Sequence, residues 1–374
     1  MRVLFVAWTE NILMSLTALN PRLEVRAIVT NEVEVARKTL AAINFPPKLI
    51  YPLYDLKECV KDFYYDYIIC AENPWKNDFG DVLTTYGVPK DKILFFNASA
   101  DNFIIERSLR YFKEHAAEFD MFATGISYTE VGLDVTRFKR KLFNFARSSQ
   151  DLYYNFQTAK FALSCSPPGK ISHALIGLSI YAFHYDLSKT YRYRFQMLYY
   201  LIAHNDLHNF YIPIDEYRKF FNENFLAARL PLESFDVNNP FGVKNARLMT
   251  PENRLNTRKI IDMRSKKAYP ETRDENVKIL DDYLTLCEQN NIRPIMFVVP
   301  VTEGYYIKHF NKRSREEFLY LVGAACRKHP GAVFLDGWNL RGLTDADFYE
   351  CTHLNIRGAA KFSAFLNNFI EQLK

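Results

Sequence analysis

Asp120-Met-Phe-Ala-Thr-Gly125-Ile126-Ser127 is the stretch that decides the fold, because it reads as a short apolar strand ending in a glycine and a serine. In α/β folds, residues just past the carboxyl end of a strand carry nucleophiles and ligands. Gly125 permits the sharp turn that would lift the Ser127 hydroxyl out of the sheet. Ser127 is therefore a candidate nucleophile. The alternative is a helix N-cap, since Glu130 completes a Ser-x-x-Glu capping box.

The C-terminal hundred residues predict the other half of the same site. Two buried strands are predicted at Ile295–Pro300 and Ala332–Asp336, and an amphipathic helix is predicted from Gly358 onward. His353 lies in the loop between the last strand and this helix. This position places His353 at the same edge of the sheet as Ser127.

Glu350 lies three residues before His353, close enough to bind the imidazole through Nδ1–H. A base held in one tautomer by a carboxylate, near a serine from another strand end, is the arrangement of a catalytic triad. We interpret the neighbouring Cys351 as a small buried residue, because adjacent loop side chains seldom converge. The sequence therefore predicts Ser127, His353 and Glu350 as nucleophile, base and orienting acid.

The first hundred residues alternate between short apolar strands and helices, a pattern typical of a parallel sheet covered on both faces. We place a domain boundary near residue 100, which gives a Rossmann-like α/β domain over 1–100 and a second, doubly wound α/β domain over 101–374. Residues 195–274 depart from the alternation and form an insertion, either a lid and substrate wall or a disordered or partner-binding loop. The predicted strands of the first domain are 3–8, 24–30, 48–53, 66–70 and 92–96, and the helices predicted around them and in the insertion are 11–19, 33–43, 78–86, 103–119, 196–210 and 214–228.

Composition and spacing exclude several classes of function. The net charge is +5, from 48 basic and 43 acidic residues, without the concentrated basic stripe that nucleic-acid binding requires. The first βα turn, Ala7-Trp-Thr-Glu-Asn11, contains no glycine, so NAD or FAD is not expected. The six cysteines show no metal-ligand spacing, and His204 and His208 have no acidic or cysteine partner at matching spacing. We expect no metal and no organic cofactor.

Cysteine usage and hydropathy indicate a compartment. Scattered single cysteines in a chain of 374 residues are typical of reduced thiols. The apolar start is too short for a signal-peptide core, and no segment approaches the ~20 apolar residues that span a bilayer. We therefore expect a cytoplasmic protein with no membrane span. Its oligomeric state is left open by the sequence.

Three blocks of the second domain resemble the SGNH (GDSL-like) hydrolase superfamily, most closely its bacterial glycan O-acyltransferases and esterases. Thr124-Gly-Ile-Ser127-Tyr128 is similar to the nucleophile block, with Ile126 in place of the Asp of the GDS form. Glu350-Cys-Thr-His353-Leu-Asn355 is similar to the Asp-x-x-His-Leu-Asn block, with Glu for Asp. The resemblance covers about residues 119–194 and 275–374. The first domain resembles the small Rossmann-like domains of bacterial glycan-biosynthesis proteins.

The resemblance also implies an oxyanion hole. Phe143–Ser149 looks like the second block of the family, where a glycine usually donates its backbone N–H, and Ser149 stands at that position. The Asn of the third block has no match, and Ser179 or Tyr181 occupies its place as a donor. Asn355, in the His353 block, is a further candidate for oxyanion or substrate binding.

These likenesses imply a serine esterase or O-acyltransferase that acts on an acylated, glycan-related substrate. Hydrolysis and transfer differ only in whether water or a sugar hydroxyl accepts the acyl group. The alternative is a catalytically silent scaffold that keeps the SGNH fold. The altered acid and the missing third-block Asn would fit that alternative, because the loss of one oxyanion donor typically costs ~3 kcal/mol in barrier height.

Overall fold

The structure is a computed structural model with two compact units, Met1–Glu106 with Tyr191–Glu233 and Arg107–Thr190 with Ser234–Lys374. Most of the 195–274 insertion lies outside the described residues, as do nearly all residues of the helices predicted at 11–19, 196–210 and 214–228. The described residues are 2–9, 24–42, 49–71, 79–89, 92–95, 100–190, 269–303 and 311–373, with the short pieces 12, 197, 200, 207–209, 248–252, 256–257, 259, 261 and 307.

The first unit contains a five-stranded, fully parallel sheet in the order β3-β2-β1-β4-β5. The central strands are continuous apolar runs because both faces of the sheet are covered. This strand order matches the first five strands of the Rossmann order 3-2-1-4-5-6, and it confirms the predicted Rossmann-like α/β character. The strands are β1 (Arg2–Ala7), β2 (Glu24–Thr30), β3 (Leu49–Pro52), β4 (Tyr67–Ala71) and β5 (Ile93–Phe95), and the helices are α1 (Val33–Ala42), α2 (Leu56–Asp62) and α3 (Phe79–Thr85).

The core of the first unit lies between this sheet and its helices. Leu4 and Val6 of β1 and Ile68 of β4 are fully buried and belong to one apolar cluster. Trp8, just beyond β1, stacks on Phe79 at the start of α3, with ring centroids 5.4 Å apart. The carboxyl end of β1 is therefore occupied by an aromatic side chain in place of a glycine-rich turn.

The second unit contains another five-stranded, fully parallel sheet, in the order β10-β9-β8-β6-β7. The chain steps from β6 out to β7 and then returns to β8 on the other side of β6. This doubly wound order leaves a crevice at the carboxyl ends of β6 and β8, where ligands bind in such sheets. The strands are β6 (Met121–Thr124), β7 (Leu142–Asn144), β8 (His173–Gly177), β9 (Arg293–Val298) and β10 (Val333–Asp336).

Helices cover this second sheet, and a short antiparallel hairpin precedes the last of them. The hairpin strands are β11 (Phe348–Glu350) and β12 (His353–Leu354). The division between the units, after Glu106, falls inside α4. The helices are α4 (Ala100–His115), α5 (Ser127–Gly132), α6 (Leu152–Cys165), α7 (Arg273–Gln289), α8 (Lys312–Lys328) and α9 (Ile356–Gln372).

The last helix fixes the region around His353 to the sheet. Phe362, Leu366 and Ile370 of α9 are buried at helical spacing in the apolar core of the second unit. The Phe362 ring packs on Phe297 of β9, with centroids 5.9 Å apart.

Within the described ranges, no helix combines the length and the apolar character that crossing a membrane requires. The α/β class is confirmed, whereas the boundary near residue 100 and the SGNH assignment stay predictions.

Candidate active site

The turn that carries Ser127 requires two glycines. Gly125 has a φ of 156°, and a Cβ at this position would lie 2.5 Å from Thr129 Oγ1. A Cβ on Gly177, at the end of the neighbouring β8, would lie 1.8 Å from the same oxygen. Because both residues are glycine, the first turn of α5 packs directly onto the ends of β6 and β8. Ser127, the first residue of α5, is thereby positioned at the crevice of the second sheet.

The His353 ring is positioned by the start of α9. Asn355 is the N-cap of α9, and its Oδ1 accepts from Arg357 N and Gly358 N at 3.0 and 3.1 Å. The Asn355 Nδ2 donates to the carbonyls of Ala346 and Phe348 at 2.8 and 3.2 Å. Its side-chain amide is thus engaged with backbone groups on both sides of the hairpin. This geometry makes Asn355 a structural residue and does not support its predicted oxyanion or substrate-binding role.

Ser127 and His353, separated by 226 positions, meet as the sequence predicts. The Ser127 Oγ lies 2.9 Å from His353 Nε2. Glu350 Oε1 is hydrogen-bonded to His353 Nδ1 on the other side of the ring. The carboxylate can only accept, so Nδ1 carries the proton and Nε2 is left to accept from the serine hydroxyl. All three side chains therefore form one hydrogen-bonded chain.

Two further residues fix Glu350, and the sequence interpretation missed both roles. The Thr352 hydroxyl donates to Glu350 Oε1 and lies 3.1 Å from His353 Nδ1. The Cys351 thiol, fully buried, donates to Glu350 Oε2 at 3.4 Å. Adjacent loop side chains do converge here, because the β11–β12 turn folds them onto one carboxylate. Cys351 is small and buried as predicted, but it also contacts the acid.

Two tyrosine rings enclose the His353 imidazole. The Tyr128 ring lies with its centroid 4.9 Å from that of His353, and the Tyr349 centroid is 5.5 Å away. Tyr128 follows Ser127 directly in α5, so this helix supplies both the Ser127 hydroxyl and one of the two rings that pack on the His353 imidazole. Tyr128 is buried and Tyr349 is half-buried, and the packing of both rings on the imidazole limits its rotation.

The capping-box alternative for Ser127 is wrong. The N-cap of α5 is Ile126, and Ser127 makes no capping hydrogen bond. Glu130 instead points inward, where Oε1 accepts from Arg147 at 2.6 Å and Oε2 accepts from Ser148 at 2.5 Å. The Glu130 and Arg147 side chains are only 1% and 6% exposed. The carboxylate therefore ties α5 to the loop that follows β7.

This loop contains Ser149, the candidate backbone donor. Ser149 is buried and has a φ of 65°, a left-handed conformation that few residues other than glycine adopt. Its carbonyl accepts from the Tyr185 hydroxyl at 3.0 Å, and Arg147 N donates to the Gly125 carbonyl at 3.0 Å. Among the described residues, neither the Ser149 N–H nor the Ser127 N–H has a protein acceptor. Both amides are thus candidates for binding an oxyanion.

Ser179 and Tyr181 follow β8 and line a cleft beside Tyr128. The Tyr181 hydroxyl lies 3.5 Å from the Tyr128 hydroxyl. Neither side chain contacts Ser127 or His353 in the hydrogen bonds of the described residues. Ser179 and Tyr181 are therefore better placed to line a binding site than to bond directly to Ser127 or His353.

Two buried cysteines, Cys59 and Cys287, are poor nucleophiles. Burial raises the pKa of Cys287 to about 12, and burial followed by nearby acidic side chains raises the pKa of Cys59 to about 11. Both thiols therefore stay protonated at neutral pH, whereas thiolate is the reactive form. His204 lies outside the described residues, so the predicted absence of a His204–His208 metal pair stays a prediction.

Comparison with known proteins adds no assignment. No protein-family model matches the sequence, and neither does any curated protein.

Proposed function

We propose that the protein is a serine esterase or O-acyltransferase in which Ser127 is the nucleophile and His353 the base. The observation that carries the proposal is the 2.9 Å contact between Ser127 Oγ and His353 Nε2, with Glu350 on Nδ1. Two side chains from distant parts of the chain meet with the donor and acceptor order that nucleophilic catalysis requires.

The proposed reaction proceeds in two halves. Ser127 Oγ attacks the acyl carbon while its proton passes to His353 Nε2, and the resulting imidazolium is stabilised by Glu350. Collapse of the tetrahedral intermediate breaks the ester bond, and His353 returns the proton to the leaving alcohol. Water or a sugar hydroxyl then attacks the carbonyl of the acyl-enzyme while His353 takes its proton. Collapse of the second tetrahedral intermediate breaks the bond to Ser127 Oγ, which takes that proton back from His353, and releases the acid or the new ester. The Ser127 and Ser149 amides are the proposed oxyanion donors.

The choice of a glycan-related substrate rests on the resemblance to SGNH proteins, and the acceptor is left as water or a sugar hydroxyl. The four residues predicted for oxyanion or substrate binding have different roles in this proposal. Ser149 is kept as a backbone donor, Ser179 and Tyr181 are kept as wall residues, and Asn355 is left out.

The experiment that tests the proposal is steady-state hydrolysis of p-nitrophenyl acetate by the full chain. Ser127→Ala and His353→Ala are each expected to lower kcat by about 10³-fold or more, and combining them should cost little more, because the residues act as a unit. Glu350→Gln is expected to lower kcat by a smaller factor. Ser108→Ala is the matched control, because Ser108 is a buried serine of α4 that is hydrogen-bonded to neither Ser127 nor His353. Wild-type activity no higher than that of Ser127→Ala, in a folded sample, would instead favour the silent scaffold.

A further inference from the structure

The turn that follows β7 is held to α5 by one buried carboxylate. Glu130 accepts from Arg147 through Oε1 at 2.6 Å and from the Ser148 hydroxyl through Oε2 at 2.5 Å. Both carboxylate oxygens are therefore engaged by consecutive residues of the turn. Because hydrogen bonds to an ionised acceptor are shorter and stronger than neutral ones, these contacts fix the turn firmly to the helix.

The backbone of the same turn has an unusual conformation at Ser149. Gln150 N donates to the Arg147 carbonyl at 3.0 Å, which closes a four-residue turn over 147–150. Ser149 is its third residue, and its φ of 65° is typical of a type II turn, in which glycine usually occupies that position. A residue with a Cβ adopts this conformation at a cost, so the surrounding contacts must hold it there.

Tyr185 supplies a contact on the other side of Ser149. Its hydroxyl donates to the Ser149 carbonyl at 3.0 Å, and the tyrosine is only 2% exposed. The Ser149 amide is thus flanked by two fixed groups, the Ser148 side chain on Glu130 and the Ser149 carbonyl on Tyr185. In the part of the chain that the structure describes, the N–H itself has no protein acceptor. A fixed donor whose hydrogen is left for a ligand is what an oxyanion site requires.

Glu130 also links the two candidate oxyanion donors to each other. Ser127 N–H lies at the start of α5, and Glu130 follows three residues later in the same helix. The backbone of Glu130 is tied to β7 as well, because Asn144 Nδ2 donates to its carbonyl at 3.4 Å. The spacing between the Ser127 and Ser149 amides therefore depends on how Glu130 holds the turn.

We propose that Glu130 and Tyr185 are positioning residues of the oxyanion site, which hold the Ser149 N–H where the carbonyl oxygen of the substrate becomes negative. This inference rests on the proposed esterase or acyltransferase function. Glu130 acts through Ser148, and Tyr185 acts through the Ser149 carbonyl. Because the oxyanion forms only in the transition state, loss of either contact should lower kcat and leave KM nearly unchanged.

The test compares p-nitrophenyl acetate with its C=S analogue, p-nitrophenyl thionoacetate, in Ser148→Ala and Tyr185→Phe. Each variant removes one hydroxyl and keeps the buried Glu130–Arg147 pair. Sulfur is a weaker hydrogen-bond acceptor than oxygen, so the ratio of kcat for the oxo ester to kcat for the thiono ester reports donation to the oxyanion. Complete loss of one oxyanion donor costs about 10²–10³-fold in kcat. For a displaced donor we expect kcat for the oxo ester to fall about tenfold in each variant, and the oxo-to-thiono ratio to fall with it.

Two controls and one combination sharpen the comparison. Tyr269→Phe also removes a hydroxyl that donates to a backbone carbonyl, that of Lys189 at 3.3 Å, and should keep the wild-type ratio. Ser164→Ala, in α6, is the matching serine control. Glu130→Gln should lower the ratio at least as far as Ser148→Ala does, and the double variant should add little, because both changes break the same contact.

The outcomes separate failure of this inference from failure of the proposed function. A wild-type oxo-to-thiono ratio in Ser148→Ala would overturn the role of Glu130, and the same result in Tyr185→Phe would overturn the role of Tyr185. Either result, with Ser127 labelled by a fluorophosphonate and the acetyl ester hydrolysed, leaves the esterase proposal standing. Absence of labelling and of hydrolysis in the folded wild type would overturn the proposed function itself.

Discussion

Replacement of Glu130 by glutamine tests whether the buried Glu130–Arg147 ion pair stabilises the fold around Ser127. Glu130 lies in the helix that begins with Ser127, and its carboxylate accepts from Arg147 at 2.6 Å and from Ser148 at 2.5 Å. Glutamine keeps the volume of the side chain, so no cavity is created. What changes is the charge, because the buried Arg147 guanidinium no longer faces the Glu130 carboxylate.

The magnitude follows from the distance and the burial. At 2.6 Å and an effective dielectric constant of about 20, the Coulomb attraction is about 6 kcal/mol. Desolvation of both ions offsets most of this attraction, but removal of one partner leaves the desolvation cost of the other. We therefore expect Glu130→Gln to lower the free energy of unfolding by about 3–5 kcal/mol. Replacing both partners, as Glu130→Leu with Arg147→Met, should cost much less than either single change.

Urea unfolding of the full chain is the assay, with an exposed pair as the control. Lys278 and Asp282 on α7 approach to 2.5 Å, as close as the buried pair, but their side chains are 73% and 41% exposed. Lys278→Gln should therefore change the free energy of unfolding by less than about 1 kcal/mol. If Glu130→Gln and Lys278→Gln had equal effects, or if the double replacement were as costly as the sum of the single ones, the reasoning from burial would be refuted.

Three further changes test the supports of the site. Gly177→Ala puts a methyl group 1.8 Å from Thr129 Oγ1, so it should lower the free energy of unfolding by about 1–3 kcal/mol or more and remove most of the activity. Gly331→Ala is the control, because a Cβ there would meet open space, and it should change the melting temperature little. Asn355→Ala removes the cap of α9 and should cost about 1–2 kcal/mol, with kcat falling more than KM changes; an unaltered melting temperature would contradict this role. Burial, and after it the nearby arginines, lowers the pKa of His173 from 6.5 to about 4. The folded state therefore binds this proton less readily than the unfolded chain does. The free energy of unfolding should accordingly fall as the pH drops from about 6.5 to about 4. His173→Gln should flatten that part of the pH–stability curve, and an equally steep curve would rule out His173 as its source.

The sequence was sufficient to predict which side chains meet at the crevice. Parallel strands bring their carboxyl ends to one edge, so a serine after β6 and a histidine before the last helix are expected to be neighbours. Glu350 could be predicted from its spacing alone, because three residues of a tight turn suffice to reach the imidazole. The structure brings Ser127, His353 and Glu350 together as expected.

The contacts of Glu130 and Thr352 could not be predicted in the same way. Glu130 fits a local capping pattern, and its true partner, Arg147, lies 17 positions away on another loop, so only the tertiary fold decides between them. Thr352 supports Glu350 through the geometry of a two-strand turn that has no distinctive sequence pattern.

The helix Leu152–Cys165 was also missed from the sequence. Its buried face includes the polar side chains Asn155 and Thr158 beside apolar ones, which hides the apolar period that predicts an amphipathic helix. Helices at Arg273–Gln289 and Lys312–Lys328 were likewise not predicted.

Covalent labelling of the folded chain with a fluorophosphonate, followed by mass mapping of the modified peptide, tests the central claim most directly. The arrangement of Ser127 against His353 predicts a single major adduct on Ser127, absent from Ser127→Ala and slowed at least a hundredfold in His353→Ala. A folded wild-type chain that takes up no reagent, or one modified on a different serine at a rate indifferent to His353, would contradict it.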